Sequence, residues 1–163
     1  MVLHNAKNGV SPTSEITSHK LGKDRNLDTD FSLIEFPQVS DLRGDLTFIE
    51  SGRHIPFEIK RVYYMYNVPE DKLRGNHAHK RLQQILIAIS GSFEVKLDNG
   101  LNTYRFSLDS PYLGLYIPPM TWRVLKNFSS NAVCLTLASE FYNESEYYRN
   151  YDDFLKAIQE SEL

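Results

Sequence analysis

The sequence of 163 residues has only one cysteine and no long apolar run. The single cysteine, Cys134, excludes a framework of internal disulfides and is typical of proteins from a reducing compartment such as the cytoplasm. No apolar stretch approaches the roughly 18 residues of a membrane span, and 1–20 lacks the apolar core of a secretory signal. We therefore predict a cytoplasmic protein that makes no contact with a membrane.

Positive charge is not in excess either, because 18 lysines and arginines face 21 acidic residues and leave a net charge of −3. This balance gives little support to nucleic-acid binding, which depends on neutralising phosphates, but it permits a local basic pocket for a small anion. Aromatic residues are plentiful at 12%, and ten of them are tyrosines. Tyrosine suits both strands and pockets, so composition alone does not separate these roles.

The chain divides into a polar arm over residues 1–30 and a single domain over 31–163. Short apolar runs separated by turn signals predict about ten strands, and Asn99-Gly100 predicts a hairpin with a type I′ turn. Only the tail, 152–158, has helical spacing with acids in its first turn. The pattern predicts an all-β antiparallel sandwich or small barrel that ends in a short helix. The predicted strands cover 31–36, 45–50, 58–66, 77–81, 84–90, 92–97, 103–108, 113–117, 122–127 and 132–138.

The densest group of polar side chains lies in the segment Arg74–Lys80. His77 and His79 are two residues apart, a spacing that points both imidazoles to one face of a strand. Such a pair has three interpretations: metal ligands, acid and base groups, or satisfied structural residues. Arg74 and Gly75 immediately precede it, and an arginine beside a glycine suits an anion that approaches the backbone closely, which favours a functional role.

The motif Arg-Gly-x-His-x-His, followed by Gln84 and Gly91, resembles the first motif of the cupin superfamily, which implies a jelly-roll fold. The second cupin motif corresponds to 119–123. Metal-binding cupins have a glutamate at the position of Gln84 and a histidine at the position of Arg123. Glutamine is a poor metal ligand and an arginine cation cannot ligate, so we predict no metal.

A closer resemblance, over 61–151, is to the metal-independent sugar-nucleotide 3,4-ketoisomerases, which act on dTDP-4-keto-6-deoxyglucose in making 3-amino-3,6-dideoxy sugars. It implies that a base removes the proton at C3, that an enediol forms, and that a proton returns to C4. It also implies a homodimer and no cofactor, because a reaction that leaves the carbon skeleton and the redox total unchanged needs no nicotinamide or flavin. The matching blocks are 61–64, 74–80, 91–92, 108–111, 114–116, 128–130, 137–142 and 150–154, and 31–50 extends them.

The same resemblance implies roles for individual residues. His77 and His79 are the catalytic pair, with His77 as the expected base at C3, although the order can be reversed. Arg74 and Arg43 are the expected clamps for the diphosphate. The expected contacts to the enediolate and the sugar come from Gln84, Arg123, Tyr64 and Tyr142. Gln84 also has the interpretation of a satisfied core residue, and Arg123 that of a surface charge.

Three other functions are compatible with these residues. The dTDP-sugar 3,5-epimerases share Arg43-Gly44 and Arg74-Gly75-x-His77, but they have a glutamine-type residue at the position of His79. A non-catalytic sugar-binding cupin and a metal cupin are the remaining two. The sequence leaves open the configuration of the product at C4, and the identity of the nucleotide depends on resemblance alone.

Overall fold

The computed structural model describes residues 31–161, so the predicted arm over 1–30 lies outside the described residues. In the described part of the chain, twelve strands, one 3₁₀ helix and one α-helix follow one another. They are β1 Ser32–Glu35, β2 Gln38–Asp41, β3 Gly44–Thr47, β4 Arg61–Tyr66, β5 Arg74–His79, β6 Gln84–Ser90, β7 Phe93–Asp98, β8 Thr103–Leu108, β9 Leu113–Ile117, β10 Trp122–Lys126, β11 Val133–Ala138, the 3₁₀ helix Glu144–Glu146, β12 Tyr147–Tyr148 and α1 Tyr151–Ser161.

Two five-stranded antiparallel sheets make up the body of the molecule. Their strand orders are β1-β9-β6-β11-β4 and β12-β5-β10-β7-β8, while β2 and β3 pair with each other in a separate hairpin. The predicted antiparallel sandwich with a C-terminal helix is therefore confirmed. Because β4 and β5 belong to different sheets, the chain crosses from the first sheet to the second between them. The strand that contains His77 and His79, β5, lies in the second sheet.

Alternation of side chains explains where the core lies. In β7, Phe93, Val95 and Leu97 are buried while the residues between them face outward, as expected for a strand with one core face. In β6, by contrast, Ile85 and Ile87 are also buried, because the chain before β4 covers the outer face of its sheet. The main core between the sheets is formed by Leu86, Ala88, Phe93, Val95, Leu97, Leu108, Leu115, Ile117, Leu125, Phe128, Ala132 and Cys134.

Three local features differ from the sequence prediction. Strand β2 and the short β12 were not predicted, because four and two residues are too few for a clear hydrophobic period. The Asn-Gly hairpin joins β7 and β8 as expected, but through the four residues 99–102, with a positive φ of 89° at Gly100 and not at Asn99. The two-residue type I′ turn is therefore wrong, and the Asn99 side chain instead accepts the amides of Leu101 and Asn102.

Helix α1 follows Asn150, whose side chain accepts the amides of Asp152 and Asp153 at 2.8 and 3.2 Å and so caps the first turn. Its buried face is anchored by Phe154, whose ring contacts Trp122 at 5.8 Å between centroids. Trp122 therefore packs the helix against the second sheet. No helix in the described residues is long and apolar enough to cross a membrane.

Gly91, between β6 and β7, cannot carry a side chain without displacing its neighbours. Its φ is 63°, and an added Cβ would lie 2.7 Å from the Cα of Ala132 and still closer to the Ser129 hydroxyl. We expect Gly91→Ala to lower the free energy of unfolding by about 3 kcal/mol, from backbone strain and overpacking together. Gly52→Ala is the matched control, since Gly52 has a φ of 72° with nothing within 4 Å of the added Cβ. Denaturant unfolding that gives equal losses for both variants would contradict this account.

Candidate active site

A cavity of about 670 Å³ opens between the two sheets and is lined by residues from both. Strands β4 and β6 contribute from the first sheet, and β5, β10 and β12 contribute from the second. His77 lies in its wall, together with four arginines and four tyrosines. These eight residues are Arg61, Arg74, Arg123, Arg149, Tyr63, Tyr64, Tyr142 and Tyr147.

The two histidines lie on one face of β5, as their spacing predicts, but they occupy different depths. His77 lines the cavity, whereas His79 is 1% exposed and is not among the lining residues. Their Nε2 atoms are 3.1 Å apart, and the Nδ1 of His77 is 2.9 Å from the carbonyl oxygen of Gly75. His79 therefore does not line the cavity itself and is connected to it by the hydrogen bond to His77.

These distances define which nitrogen of each neutral imidazole carries the proton. A carbonyl oxygen only accepts hydrogen bonds, so the Nδ1 of His77 donates to Gly75 and the Nε2 of His77 bears the lone pair. That lone pair accepts the N–H at Nε2 of His79. The Nδ1 of His79 is then unprotonated, and it is buried without a hydrogen-bond partner in the described structure. The Nε2 of His77 is thus the unprotonated nitrogen at the cavity wall, and it can accept a substrate proton once its hydrogen bond from His79 opens.

Both imidazoles are held in their neutral, basic form. Burial, and after it the Arg123 guanidinium, lower the pKa of His77 from 6.5 to about 4. The same two causes, with His77 as a third, lower the pKa of His79 to about 2. At neutral pH the pair can accept a proton, and it does not carry charge before substrate arrives.

Arg123 lies opposite His77 in the antiparallel pairing of β10 with β5. Its side chain is 2% exposed, so the interpretation of Arg123 as a surface charge is wrong. Nη1 donates to Gln84 Oε1 at 2.5 Å and Nη2 donates to the Thr121 carbonyl at 2.7 Å. Burial lowers the pKa of Arg123 to about 10, which still leaves a cation at neutral pH.

Gln84 connects this cation to the first sheet. Its Oε1 accepts from Arg123, and its Nε2 donates to the Tyr63 hydroxyl at 2.8 Å. Gln84 is 2% exposed, hydrogen-bonded and part of the cavity lining, so it has the contacts of a satisfied core residue, and its role toward a substrate stays a prediction. A carboxylate at this position would form a buried ion pair with Arg123, whereas the amide leaves the positive charge of Arg123 uncompensated.

The structure brings most of the sequence-predicted residues together and leaves one apart. Arg74, Tyr64 and Tyr142 line the same cavity as His77. Arg43 lies at the tip of the β2–β3 hairpin, where its side chain is 90% exposed and paired with Asp41, and it is not among the lining residues.

Of the arginines and tyrosines that line the cavity, four were missed in the sequence: Arg61, Tyr63, Tyr147 and Arg149. Tyr147 packs against both imidazoles, with its ring centroid 4.3 Å from that of His79 and 5.0 Å from that of His77. Arg149 lies over the Tyr147 ring, 4.4 Å from its centroid. Tyr147 and Arg149 belong to a segment without periodicity, and the signal that could have found them is the cluster Tyr-Tyr-Arg just before the helix.

The charges in the cavity wall are all of one sign. Among the described residues that line it are four arginines and no aspartate or glutamate. In the part of the chain that the structure describes, no group of three or more His, Cys, Asp and Glu side chains is placed to hold a metal ion. The arrangement suits an anionic ligand with oxygen atoms, bound beside a base.

Comparisons with known proteins show what this chain is similar to. The family model FdtA, described as WxcM-like, C-terminal, matches residues 29–159. A curated relative, the TDP-4-oxo-6-deoxy-alpha-D-glucose-3,4-oxoisomerase of Aneurinibacillus thermoaerophilus, is 44% identical over 131 residues, which cover 80% of this chain and 94% of the relative.

Two solved structures resemble this chain about as closely as the curated relative does. A 3,4-ketoisomerase from Helicobacter canadensis has a TM-score of 0.78 and 46% identity, covering 80% of this chain and 98% of its own. A variant of the 3,4-ketoisomerase QdtA from Thermoanaerobacterium thermosaccharolyticum, in complex with TDP-4-keto-6-deoxyglucose, has a TM-score of 0.78 and 42% identity, covering 80% and 94%. The fold is thus the cupin-like jelly roll that the sequence motifs predict.

Proposed function

The chain belongs to the FdtA family, and from that premise we propose that it converts TDP-4-keto-6-deoxyglucose to the corresponding 3-keto sugar. It is an isomerase, as its similar relatives are 3,4-ketoisomerases. The observation that carries the choice of substrate class is the cavity, where a neutral histidine pair stands among four arginines. The arginines can bind the diphosphate of a sugar nucleotide, and the neutral histidine can remove a proton from the carbon next to the ketone of the sugar.

In the proposed reaction, the hydrogen bond from His79 to the Nε2 of His77 opens as the substrate binds, and this nitrogen removes the proton at C3 of the bound sugar. The electron pair moves onto the C4 ketone oxygen, and an enediolate forms. Protonated His77 exchanges with solvent and returns a proton to C4. The hydroxyl proton at C3 passes through the hydrogen-bonded pair of His77 and His79 to the oxygen at C4, so one O–H bond is also broken and one is formed. One C–H bond is broken and one is formed, so the reaction needs no external oxidant or reductant.

The negative charge of the enediolate is the main electrostatic cost of this path. We propose that the Arg123 cation, oriented by Gln84, stabilises it from the cavity wall. In metal-binding cupins this role would fall to a metal held by histidines and a carboxylate. Here Gln84 and Arg123 stand at two of those positions, and a guanidinium cannot ligate, so the residues do not fit a metal.

Proton NMR of TDP-4-keto-6-deoxyglucose incubated with the protein in D₂O tests the proposed reaction. We expect a 3-keto product with deuterium at C4 and an unchanged proton at C5. Deuterium at both C3 and C5 with a retained C4 ketone would show a 3,5-epimerase instead. Saturable binding with neither product nor exchange would show a sugar-binding protein without catalysis.

We also propose that the protein is a homodimer and that the hairpin β2–β3 reaches the partner. The hairpin is a sheet of its own, and Val39, Leu42 and Leu46 on it are 55%, 108% and 56% exposed. Exposed apolar side chains on a projecting hairpin favour association with another chain. Arg43 between its strands would then bind the diphosphate in the partner's cavity, which explains its distance from the cavity of its own chain.

Sedimentation velocity at micromolar concentration should give twice the chain mass of 18.9 kDa. Leu42→Asp should produce a monomer with a higher KM, because it places a charge in the proposed interface. Arg43→Ala should keep the dimer and raise KM alone. Leu101→Asp is the control, since Leu101 is 72% exposed on the β7–β8 loop. A fully active wild-type monomer would contradict the proposal.

The single cysteine indicates the compartment in which the enzyme works. We propose that the enzyme works in the cytoplasm, where a free thiol such as Cys134 stays reduced, and supplies 3-keto sugars for the synthesis of 3-amino-3,6-dideoxy sugars.

A further inference from the structure

Strand β5 contains an extra residue just before the histidine pair. In the antiparallel pairing of β5 with β10, His77 lies opposite Arg123 and Gly75 lies opposite the next residue, Val124. Asn76 therefore has no residue across from it, which makes this point a β-bulge. Gly75 and Asn76 both have a positive φ, of 84° and 54°. Bulges are common beside active sites, where they change the direction of groups on the strand.

The bulge brings a carbonyl oxygen to the base. In a regular strand the carbonyl groups lie in the plane of the sheet and the side chains stand perpendicular to it, so a carbonyl does not meet the ring two residues further on. Here the peptide group between Gly75 and Asn76 is rotated, and the Gly75 oxygen lies 2.9 Å from the Nδ1 of His77. The bulge thus makes a contact that regular strand geometry does not permit.

Backbone packing and residue type both support this conformation. A Cβ added to Gly75 would lie 2.7 Å from the carbonyl oxygen of Arg123, so β5 and β10 approach here more closely than a side chain at position 75 allows. Asn76 is exposed, and asparagine is one of the few residues other than glycine that adopt the left-handed conformation readily. Asn76 therefore contributes through its backbone conformation and not through a buried side-chain contact.

The histidine pair by itself does not determine which ring holds the lone pair. Its two Nε2 atoms are 3.1 Å apart, and either of them can be the donor. The Nδ1 of His79 gives no preference, because it is buried without a hydrogen-bond partner in the described structure. The Gly75 carbonyl only accepts, so it keeps the proton of neutral His77 on Nδ1 and the lone pair on Nε2.

We propose that the bulge at Gly75 and Asn76 sets the tautomer of His77, and that Asn76 is a positioning residue for the general base. Its effect on turnover rests on the proposed function, whereas the tautomer is a property of the free protein. The same carbonyl also helps His77 to accept a proton. Burial and the Arg123 cation lower the pKa of His77, and the hydrogen bond to Gly75 raises it in part, because the carbonyl stabilises the imidazolium.

Two substitutions of Asn76 separate backbone conformation from side-chain contacts. Asn76→Val strongly disfavours the positive φ, so the Gly75 carbonyl should leave Nδ1, and kcat should fall roughly 10-fold to 100-fold with KM within about threefold. Asn76→Gly also removes the side chain but permits the positive φ, so kcat should stay within about threefold of wild type. Asn127→Val is the matched control, since Asn127 is exposed after β10 and has a φ of 53°. It should lower the melting temperature as Asn76→Val does and leave kcat within about twofold.

NMR of protein with ¹⁵N-labelled histidine tests the tautomer without any turnover, because the shift of a ring nitrogen depends on whether it carries a proton. We expect the His77 signals, assigned by their loss in His77→Asn, to show the proton on Nδ1 in wild type and in Asn76→Gly. In Asn76→Val the proton should move toward Nε2. A proton on the Nε2 of His77 in wild type would overturn the inference, and so would equal kcat in the two Asn76 variants or an equal loss in Asn127→Val. The Nδ1 tautomer in a wild type that does not turn over TDP-4-keto-6-deoxyglucose would overturn the proposed function and leave the inference standing.

Discussion

His77→Asn should lower kcat on TDP-4-keto-6-deoxyglucose by roughly 10²–10⁴, the usual contribution of a general base, while the fold stays intact. Asparagine can still hydrogen-bond, but it has no nitrogen that accepts a proton near neutral pH. His77 lines the cavity and makes its contacts through Gly75 and His79, so the change removes a proton acceptor without exposing the core. Steady-state kinetics with a melting curve measures both effects.

The control for this substitution is His54→Asn. His54 is hydrogen-bonded to the Glu50 amide and packs against Phe48, both outside the cavity. Its replacement should leave kcat within about twofold of wild type, whatever it does to local stability. If His77→Asn and His54→Asn turn over substrate at similar rates, His77 is not the base.

Arg123→Met should also have a large effect, because it removes the cation that we propose stabilises the developing enediolate. We expect kcat to fall by roughly 10²–10³, the range found when one stabilising donor of an oxyanion is lost. Methionine fills a similar volume, but it removes the charge together with the hydrogen bonds to Gln84 and the Thr121 carbonyl, so a variant that keeps the charge is needed beside it. The same variant should shift the pH dependence, because Arg123 is the second cause, after burial, of the low pKa of His77.

The sign of that shift follows from the role of the base. His77 acts when neutral, so activity is lost as pH falls through its pKa, which lies at about 4 in wild type. Without the cation the pKa rises toward 6.5, and the acid limb of kcat should move to higher pH. Arg123→Lys keeps a positive charge and should retain the low acid limb with intermediate kcat. An unchanged limb and a kcat within about threefold of wild type in Arg123→Met would contradict this role.

The sequence was sufficient for the features that depend on local periodicity. Alternation in β7, and the spacing of His77 and His79 on β5, are properties of a strand that neighbouring residues determine. The fold class followed from the number of such strands, and the identity of the cavity residues in β5 and β10 followed from motif positions. The motif position identified Arg123 as a site residue. It did not predict that Arg123 is buried, because burial depends on the sheet that packs over it.

The remaining site residues depend on contacts between distant parts of the chain. Tyr147 reaches the histidines because the two-residue β12 pairs with β5 at His79 and Ala78. Nothing within the segment 142–149 encodes that pairing, so Tyr147 and Arg149 were not predicted. The different depths of His77 and His79 are likewise a result of tertiary packing, because residue spacing gives the face of a strand and not the distance from the cavity.

The exchange of the C3 proton with solvent is the most direct test of the central claim, that His77 removes this proton. The measurement is the rate at which deuterium replaces hydrogen at C3 of TDP-4-keto-6-deoxyglucose in D₂O, followed by NMR for wild type, His77→Asn and His79→Asn, with TDP affinity measured in parallel. We expect His77→Asn to bind TDP like wild type and to exchange the C3 proton at least about 100-fold more slowly. Exchange at the wild-type rate in His77→Asn, with loss of exchange in His79→Asn alone, would contradict this claim.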